Sequence, residues 1–325
     1  MSFPVNGKVW MNGALVDWSD ATIHIASHVI HYGSGVFEGA RCYDTPKGSA
    51  CFRLDAHMRR LYDSARIYRM DYRVPLAEMT AAVVETIQAN HLKACYIRPI
   101  LYRGYETLGV NPLPCPVDGA ILVWEWGAYL GAGATDQGVD VCVSSWNRPA
   151  ANTLPGLAKT TANYASSQLI KMEAIAEGFA EGIALDTQGY LSEGSGQNLF
   201  LVRDGVLYTP TMSEAILPGI TRDSIVTLAR ELGYRVREER LPREMLYIAD
   251  EVFFVGTAVE ITPVKSVDRI TVGSGARGPV TAALQKAFFA IINGEAPDTH
   301  GWLTYLPAGG GAEATAAAGK AATER

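Results

Sequence analysis

Lys159 is the one charged residue in the stretch Thr153–Ser167, TLPGLAKTTANYASS, and Tyr164 follows it by five positions. A lysine among small uncharged residues is suited to act as an amine nucleophile, because loss of solvation favours its neutral form. Glu193, in GYLSEGSGQNLF, sits among glycines and serines, with Asn198 five residues on. Such a carboxylate leaves room for a large group, and facing a heterocyclic nitrogen it would keep that nitrogen protonated. In LPGITRDS the backbone N–H groups of Gly219, Ile220 and Thr221 open a helix. Unpaired donors and partial positive charge at a helix start can hold a phosphate. FFVGTAVE is an apolar run that breaks at Gly256, Thr257 and Ala258. Consecutive N–H groups at such a break can face an anion, and glycine permits close approach.

Taken singly, each feature also has a plain structural reading: a loop lysine, a hairpin acid, helix capping by Thr221, a strand bulge. Together they match what pyridoxal 5′-phosphate requires, namely an amine for a Schiff base, a carboxylate for the ring nitrogen and an anchored phosphate. Neither a Gly-rich dinucleotide fingerprint nor metal-ligand spacing competes with them, so no metal is expected.

The elements that must position these residues are legible in outline. Asn12-Gly13 marks a hairpin in GKVWMNGALVDW. SACFRL reads as a strand, with Asp55 as N-cap of the helix AHMRRLYDSARIYRM. Met58, Leu61, Ala65 and Tyr68 recur there at three- and four-residue steps and form an apolar face. LAEMTAAVVETIQANHL is a second helix, followed by the strands CYIRPILYRGY and DGAILVWEW. GAYLGAGATDQG, rich in Gly and Ala, is the expected interdomain connection. Beyond the strand VDVCVSSW, a helix is expected from about Ala162 to Glu177, closed by Gly178. EGIALDTQGYLSEGSGQNLFLVRDGVLYTP reads as three strands with turns at Gly189 and Gly205. A helix from near Thr221 should bury Ile225, Leu228, Ala229 and Leu232 and end at Gly233. The expected fold is mixed α/β in two domains: residues 1–127, a connecting loop 128–137, and a larger domain 138–307. The low-complexity tail 308–325 is expected to be disordered.

Composition narrows the classes. A net charge of -6, from 28 basic and 34 acidic residues, gives no footprint for nucleic acid. No apolar run is long enough to span a membrane. MSFPVNGKVWMNG lacks the basic and apolar regions of a signal peptide. The five cysteines form no CxxC pair, which points to reduced thiols in the cytoplasm and not to zinc or disulfides.

The segment from Glu193 to Arg222, EGSGQNLFLVRDGVLYTPTMSEAILPGITR, resembles the signature of the class IV pyridoxal-phosphate aminotransferases. SHVIHYGSGVFEGARCYDT, YIRPILYRG, WGAYLGA, SSWNRPAANTLPGLAK and ADEVFFVGTAVEITPV resemble the bacterial branched-chain amino acid aminotransferases, and the likeness runs to about Pro307. The resemblance implies a fold-type IV enzyme whose larger C-terminal domain is a pseudo-barrel. It implies reversible transamination of leucine, isoleucine and valine with 2-oxoglutarate, in two ping-pong half-reactions. Lys159 would form the Schiff base and shuttle the proton, Glu193 would meet the ring nitrogen, and Tyr164 the phenolic oxygen. Arg60, Leu217, Gly219, Ile220, Thr221, Gly256 and Thr257 complete the implied cofactor set. On the substrate side, Tyr96, Thr257 and Ala258 offer donors to the α-carboxylate, and Arg98 suits a second carboxylate. Tyr32, Phe37, Trp126, Tyr129 and Tyr164 suit an apolar side chain, Gly39 is a further implied substrate-binding position, and Val110 resembles a position that reaches into a partner subunit. A homodimer at least is implied, with a hexamer left open. D-amino acid or (R)-amine transaminases and aminodeoxychorismate lyases, which share the scaffold, are the alternative.

Overall fold

The structure is a computed structural model that describes residues 3, 6–127, 129–131 and 133–307. The tail expected to be disordered lies outside the described residues. Two sheets and eight α-helices make up the described part. The first sheet orders its strands Leu303–Tyr305, Gly48–Phe52, Ala40–Thr45, Cys95–Arg103, Val117–Trp124, Lys8–Met11 and Ala14–Asp17, and Gly35–Phe37 also pairs with Cys95–Arg103. Its strands pair antiparallel throughout. The Asn12-Gly13 turn closes the first hairpin with both residues at positive φ (49° and 97°), as a tight turn of matching twist demands.

Alternation along Cys95–Arg103 decides what this sheet carries on each face. Cys95, Ile97 and Leu101 enter a core with Met58, Leu61 and Ala65 of helix Leu54–Ile67 and Met79, Val83 and Ile87 of helix Leu76–Ala89. Tyr96 and Arg98 therefore point to the other face. One expectation is corrected in this region. Asp55 is not the N-cap; Arg53 holds that position with φ 49°, and Asp55 falls in the first helical turn. Tyr68, the C-cap, packs half-buried against the same core as Met58, Leu61 and Ala65.

The second sheet is mixed. It runs Leu191–Gly194, Glu181–Leu185, Val139–Val143, Glu260–Val267, Glu251–Gly256, Asn198–Arg203, Val206–Thr209 and Arg235–Glu238. Val139–Val143 and Glu181–Leu185 are parallel, so their connection crosses over through helix Asn163–Ala176. Helix Ile220–Glu231 makes the same kind of crossover between the parallel strands Val206–Thr209 and Arg235–Glu238. The central strands are buried on both faces, which explains their unbroken apolar runs. Leu199, Leu201, Val252 and Phe254 enter one core, and Phe200, Val202, Phe253 and Val255 enter another with helix Pro279–Ile292.

The expected three strands of residues 181–210 are four, because Ser195, Gly196 and Gln197 turn the chain between Leu191–Gly194 and Asn198–Arg203. The sheet curls there, so its edge strand returns beside Asn198 and the layer closes into a partial barrel. Leu232 is also corrected: it is the C-cap of its helix and 47% exposed, while Ile225, Leu228 and Ala229 are buried.

Candidate active site

The free face of the first sheet and the curled second sheet line a common cavity. Lys159 enters it from a loop held on both sides of its peptide. Its N–H donates to Ser64 Oγ (3.0 Å), and its carbonyl accepts from Phe37 N–H (3.0 Å). The side-chain nitrogen lies 2.6 Å from Tyr164 Oη and 5.1 Å from the centre of the Phe37 ring. Tyr164 sits in the first turn of helix Asn163–Ala176, so five residues of chain bring amine and phenol together.

Glu193 reaches the cavity from the strand Leu191–Gly194 and is buried. One carboxylate oxygen pairs with Arg148 Nη2 at 2.9 Å. The other accepts from Asn198 Nδ2 (3.0 Å) and the Leu217 N–H (3.1 Å). Burial pushes this carboxyl above the usual carboxylate range, against the pull of the Arg148 guanidinium and the Leu217 N–H. A further positive group in the cavity would relieve that cost by favouring the anion.

The opposite end is built from the start of helix Ile220–Glu231. Gly219 is its N-cap and no side chain caps it. The first intrahelical bond at this end runs from Asp223 N–H to Gly219 O (3.0 Å), so the amides of Ile220 and Thr221 remain available. Arg60 reaches the same end from helix Leu54–Ile67. Its Nε and Nη2 grip Glu38 at 2.6 and 2.9 Å, and Nη1 donates to Pro218 O at 2.7 Å. Among the described residues, two of its five N–H groups have no partner and can serve a ligand. Glu38 also binds His57 Nδ1 at 2.7 Å. Burial opposes ionisation of the Glu38 carboxyl, but Arg60 and His57 together overcome it and hold the group well below its usual range.

The third region carries Tyr96, Arg98, Phe37, Trp126 and Tyr129. The Arg98 guanidinium lies among the rings of Phe37 (4.8 Å), Tyr96 (5.4 Å) and Trp124 (5.7 Å). Its Nε is buried without a hydrogen-bond partner, and among the described residues no acid pairs with it. A cation set in aromatic walls with a free donor suits a carboxylate that arrives with a ligand. Arg41, directly across the strand pair from Tyr96, donates to the carbonyls of Thr257 (2.9 Å) and Ala258 (3.1 Å) and steadies that turn.

The cavity thus brings together Lys159, Tyr164, Glu193, Arg60, Leu217, Gly219, Ile220, Thr221, Gly256 and Thr257, and on the other side Phe37, Gly39, Tyr96, Arg98, Trp126, Tyr129 and Ala258. Tyr32 and Val110 do not line it; they are 47% and 85% exposed. Sequence reasoning overlooked Arg148, Ser167 and Gln197 in the lining, and Glu38 behind it. Arg148 carried the signal that marked Lys159: a lone cation in a run of small and polar residues, SSWNRPAAN. An uncapped helix start with a forked arginine, a buried acid awaiting positive charge and a lysine beside a phenol fit pyridoxal phosphate as a ligand of these residues.

Comparison with known proteins agrees with this geometry. Residues 35–267 match the family model described as amino-transferase class IV. The branched-chain-amino-acid aminotransferase of Salmonella typhimurium is 54% identical over 296 residues, covering 91% of this chain and 96% of that protein. A crystal structure of the Escherichia coli branched-chain amino acid aminotransferase superimposes with a TM-score of 0.92 at 52% identity, covering 93% of this chain and all (100%) of that one. The branched-chain amino acid aminotransferase from Thermobaculum terrenum, in its PLP-form, matches with a TM-score of 0.86 at 32% identity over 93% of this chain and 99% of that one. The chain belongs to the class IV aminotransferase family, among the branched-chain amino acid aminotransferases.

Proposed function

We propose that this chain is a pyridoxal-phosphate enzyme that moves the amino group between L-leucine, L-isoleucine or L-valine and 2-oxoglutarate, in two alternating half-reactions. The observation that carries this reading is Arg98: an unpaired guanidinium at the edge of an aromatic pocket, in the same cavity as Lys159 and Glu193. One site must accept an aliphatic side chain and, in the other half-reaction, a second carboxylate. Rings with one cation at their edge satisfy both demands, because the apolar side chain uses the walls and the carboxylate uses the fork.

The cofactor would be held by Arg60 and the amides of Ile220 and Thr221 at its phosphate, by Glu193 at its ring nitrogen and by Tyr164 at its phenolic oxygen. When bound, it supplies a carbonyl that accepts the amino group and a conjugated ring that takes up electrons as the Cα proton leaves. Lys159 would hold the cofactor through its amine and would move the proton at substrate Cα. Tyr164 Oη, at 2.6 Å, keeps the released amine in place. Thr257, Ala258 and Tyr96 orient the α-carboxylate, and Arg41 prevents that turn from shifting. Phe37 and Trp126 exclude water from the reacting face. A homodimer, with Val110 entering the partner's pocket, is supported by the exposure of this apolar residue outside the cavity of its own chain. Apart from the strand Leu303–Tyr305, which returns to the first sheet, the two sheets support a division near residues 128–137, and five free, buried thiols suit a reducing cytoplasm.

The decisive experiment is a panel of L-amino acids, D-amino acids and amines with 2-oxoglutarate as acceptor, in which branched L-amino acids should turn over fastest. Preference for a D-amino acid or an (R)-amine would replace this reading with the alternative on the same scaffold. Two variants probe the pocket. Arg98→Met should lower kcat/KM for 2-oxoglutarate about 100-fold, as a charge-assisted fork contributes roughly 2–3 kcal/mol, and for leucine far less. An equal loss with both substrates would remove Arg98 from its assigned role. Gly39→Ala would place a methyl group onto Tyr96 Oη and push the ring aside. Overpacking of that kind costs about 1–3 kcal/mol, so KM should rise about tenfold or more for all amino donors, with cofactor absorbance unchanged.

A further inference from the structure

His28 is 2% exposed, yet no step above uses it. Its Nε2 meets the carbonyl of Gly109 at 2.8 Å, so this nitrogen carries the proton and donates. Nδ1 is then left to accept the Ser34 hydroxyl at 2.7 Å. The ring stacks on Tyr32 with centroids 4.5 Å apart and planes at 28°. One imidazole thus grips the residue before Val110 and the ring of Tyr32. These are the two residues expected at a substrate pocket that do not line the cavity of their own chain. Val110 is 85% exposed, and Leu108, Leu113 and Tyr105 beside it are 51%, 63% and 58% exposed. A run of exposed apolar side chains marks a surface that another molecule covers.

The unit is also tied to the catalytic loop. Gly33, with φ 62°, ends the short helix His28–Tyr32, and its carbonyl accepts from Thr161 Oγ1 at 2.6 Å, two residues beyond Lys159. The base of the other segment is set by the His28 N–H, which donates to Gly104 O at 3.0 Å, and by Arg103 Nη1, which donates to Pro112 O at 2.9 Å. The tip at Gly109 has His28 as its side-chain support.

We infer that His28 is a positioning residue acting in trans: it holds Tyr32 and the Val110 loop as one preformed unit that completes the substrate pocket of the partner subunit. This rests on the dimeric reading above, and deepens it by naming what shapes the inserted loop. An aliphatic side chain in the partner's pocket would then feel His28 through Val110, while cofactor binding would not.

Mixed assemblies test this directly. A minority of wild-type chain is coexpressed with an excess of the inactive double variant His28→Ala/Lys159→Ala, so that nearly every working site faces an altered partner. KM for leucine should rise about 5- to 20-fold, the effect of losing one or two buried contacts, with kcat and cofactor content little changed. The converse mixture, a minority of His28→Ala chain with an excess of Lys159→Ala, should show wild-type KM. The opposite pattern, or no effect in either mixture, would overturn the inference. His28→Gln, whose amide can still donate to Gly109, should recover most of the loss, and His28→Asn should not. Equal losses from both, with falling cofactor content, would assign His28 to folding alone. Val110→Asp in the same two mixtures separates the underlying reading: an effect in trans from Val110 but none from His28 sinks only the inference, and an effect in cis from Val110 sinks both.

Discussion

Lys159→Ala is expected to lower transamination by at least about 10⁴-fold, since one side chain supplies both the covalent attachment and the general base. The loss should not come from misfolding. The Lys159 backbone is held by Ser64 and Phe37 through main-chain atoms that alanine retains. Cofactor content should fall only partly, because Arg60 and the start of helix Ile220–Glu231 remain. Added small amines should restore measurable turnover by replacing the lost nitrogen. Borohydride reduction of the wild-type enzyme, followed by peptide mapping, should fix the cofactor to Lys159. Label on Lys171 or Lys265 would end the proposed mechanism. Lys171 binds Ala180 O at 2.5 Å and Glu181 at 3.2 Å and does not line the cavity.

Glu193→Gln carries the second largest expected effect, about 10²- to 10³-fold in kcat, in line with the loss of one buried charge that stabilises a reacting system. The amide keeps the shape and loses the negative charge that would hold a ring proton. It also strands the buried Arg148 guanidinium, whose Nη2 lies 2.9 Å from Glu193 and whose Nη1 donates to Ser167 Oγ at 2.9 Å. Removing one partner of a buried pair costs about 3–5 kcal/mol, so the variant should melt lower, and rates must be taken per bound cofactor. The double variant Arg148→Met/Glu193→Gln should regain stability without regaining activity. Recovery of both together would mean that Glu193 matters for packing and not for the reaction.

How far these residues could be read beforehand follows from their chemistry. Lys159 and Glu193 were legible because each is an ionisable group among small neighbours, an arrangement that folding alone rarely needs. The helix was legible from its apolar period and expected from near Thr221; the structure starts it at Ile220, with Gly219 as an uncapped N-cap. CYIRPILYRGY was legible as a strand, and the fold shows which face each side chain takes: Tyr96 and Arg98 line the cavity, and Cys95 and Ile97 enter the core. Local rules failed where a partner distant in sequence intervened. Asp55 looked like a cap, but strand Gly48–Phe52 delivers the chain so that Arg53 takes the left-handed position. The break at Ser195–Gln197 was hidden within an otherwise continuous strand pattern, since the need to curl the sheet is not a property of any short segment.

Glu38 and Arg148 show the same limit inside the site. An acid in VFEG and an arginine in WNRP carry no local sign of which charge they will meet. Only the fold puts Glu38 against Arg60, 22 positions away, and Arg148 against Glu193, 45 positions away in the chain. The sequence by itself determined the reactive groups, the faces of the elements that carry them and the family they belong to, because residue type and period are local quantities. Tertiary structure alone decided which charges are neutralised, which cation stays free for a carboxylate, and that Tyr32 and Val110 form one unit outside their own cavity. Those are matters of distance and burial, and both are set when separate sheets close around a common space.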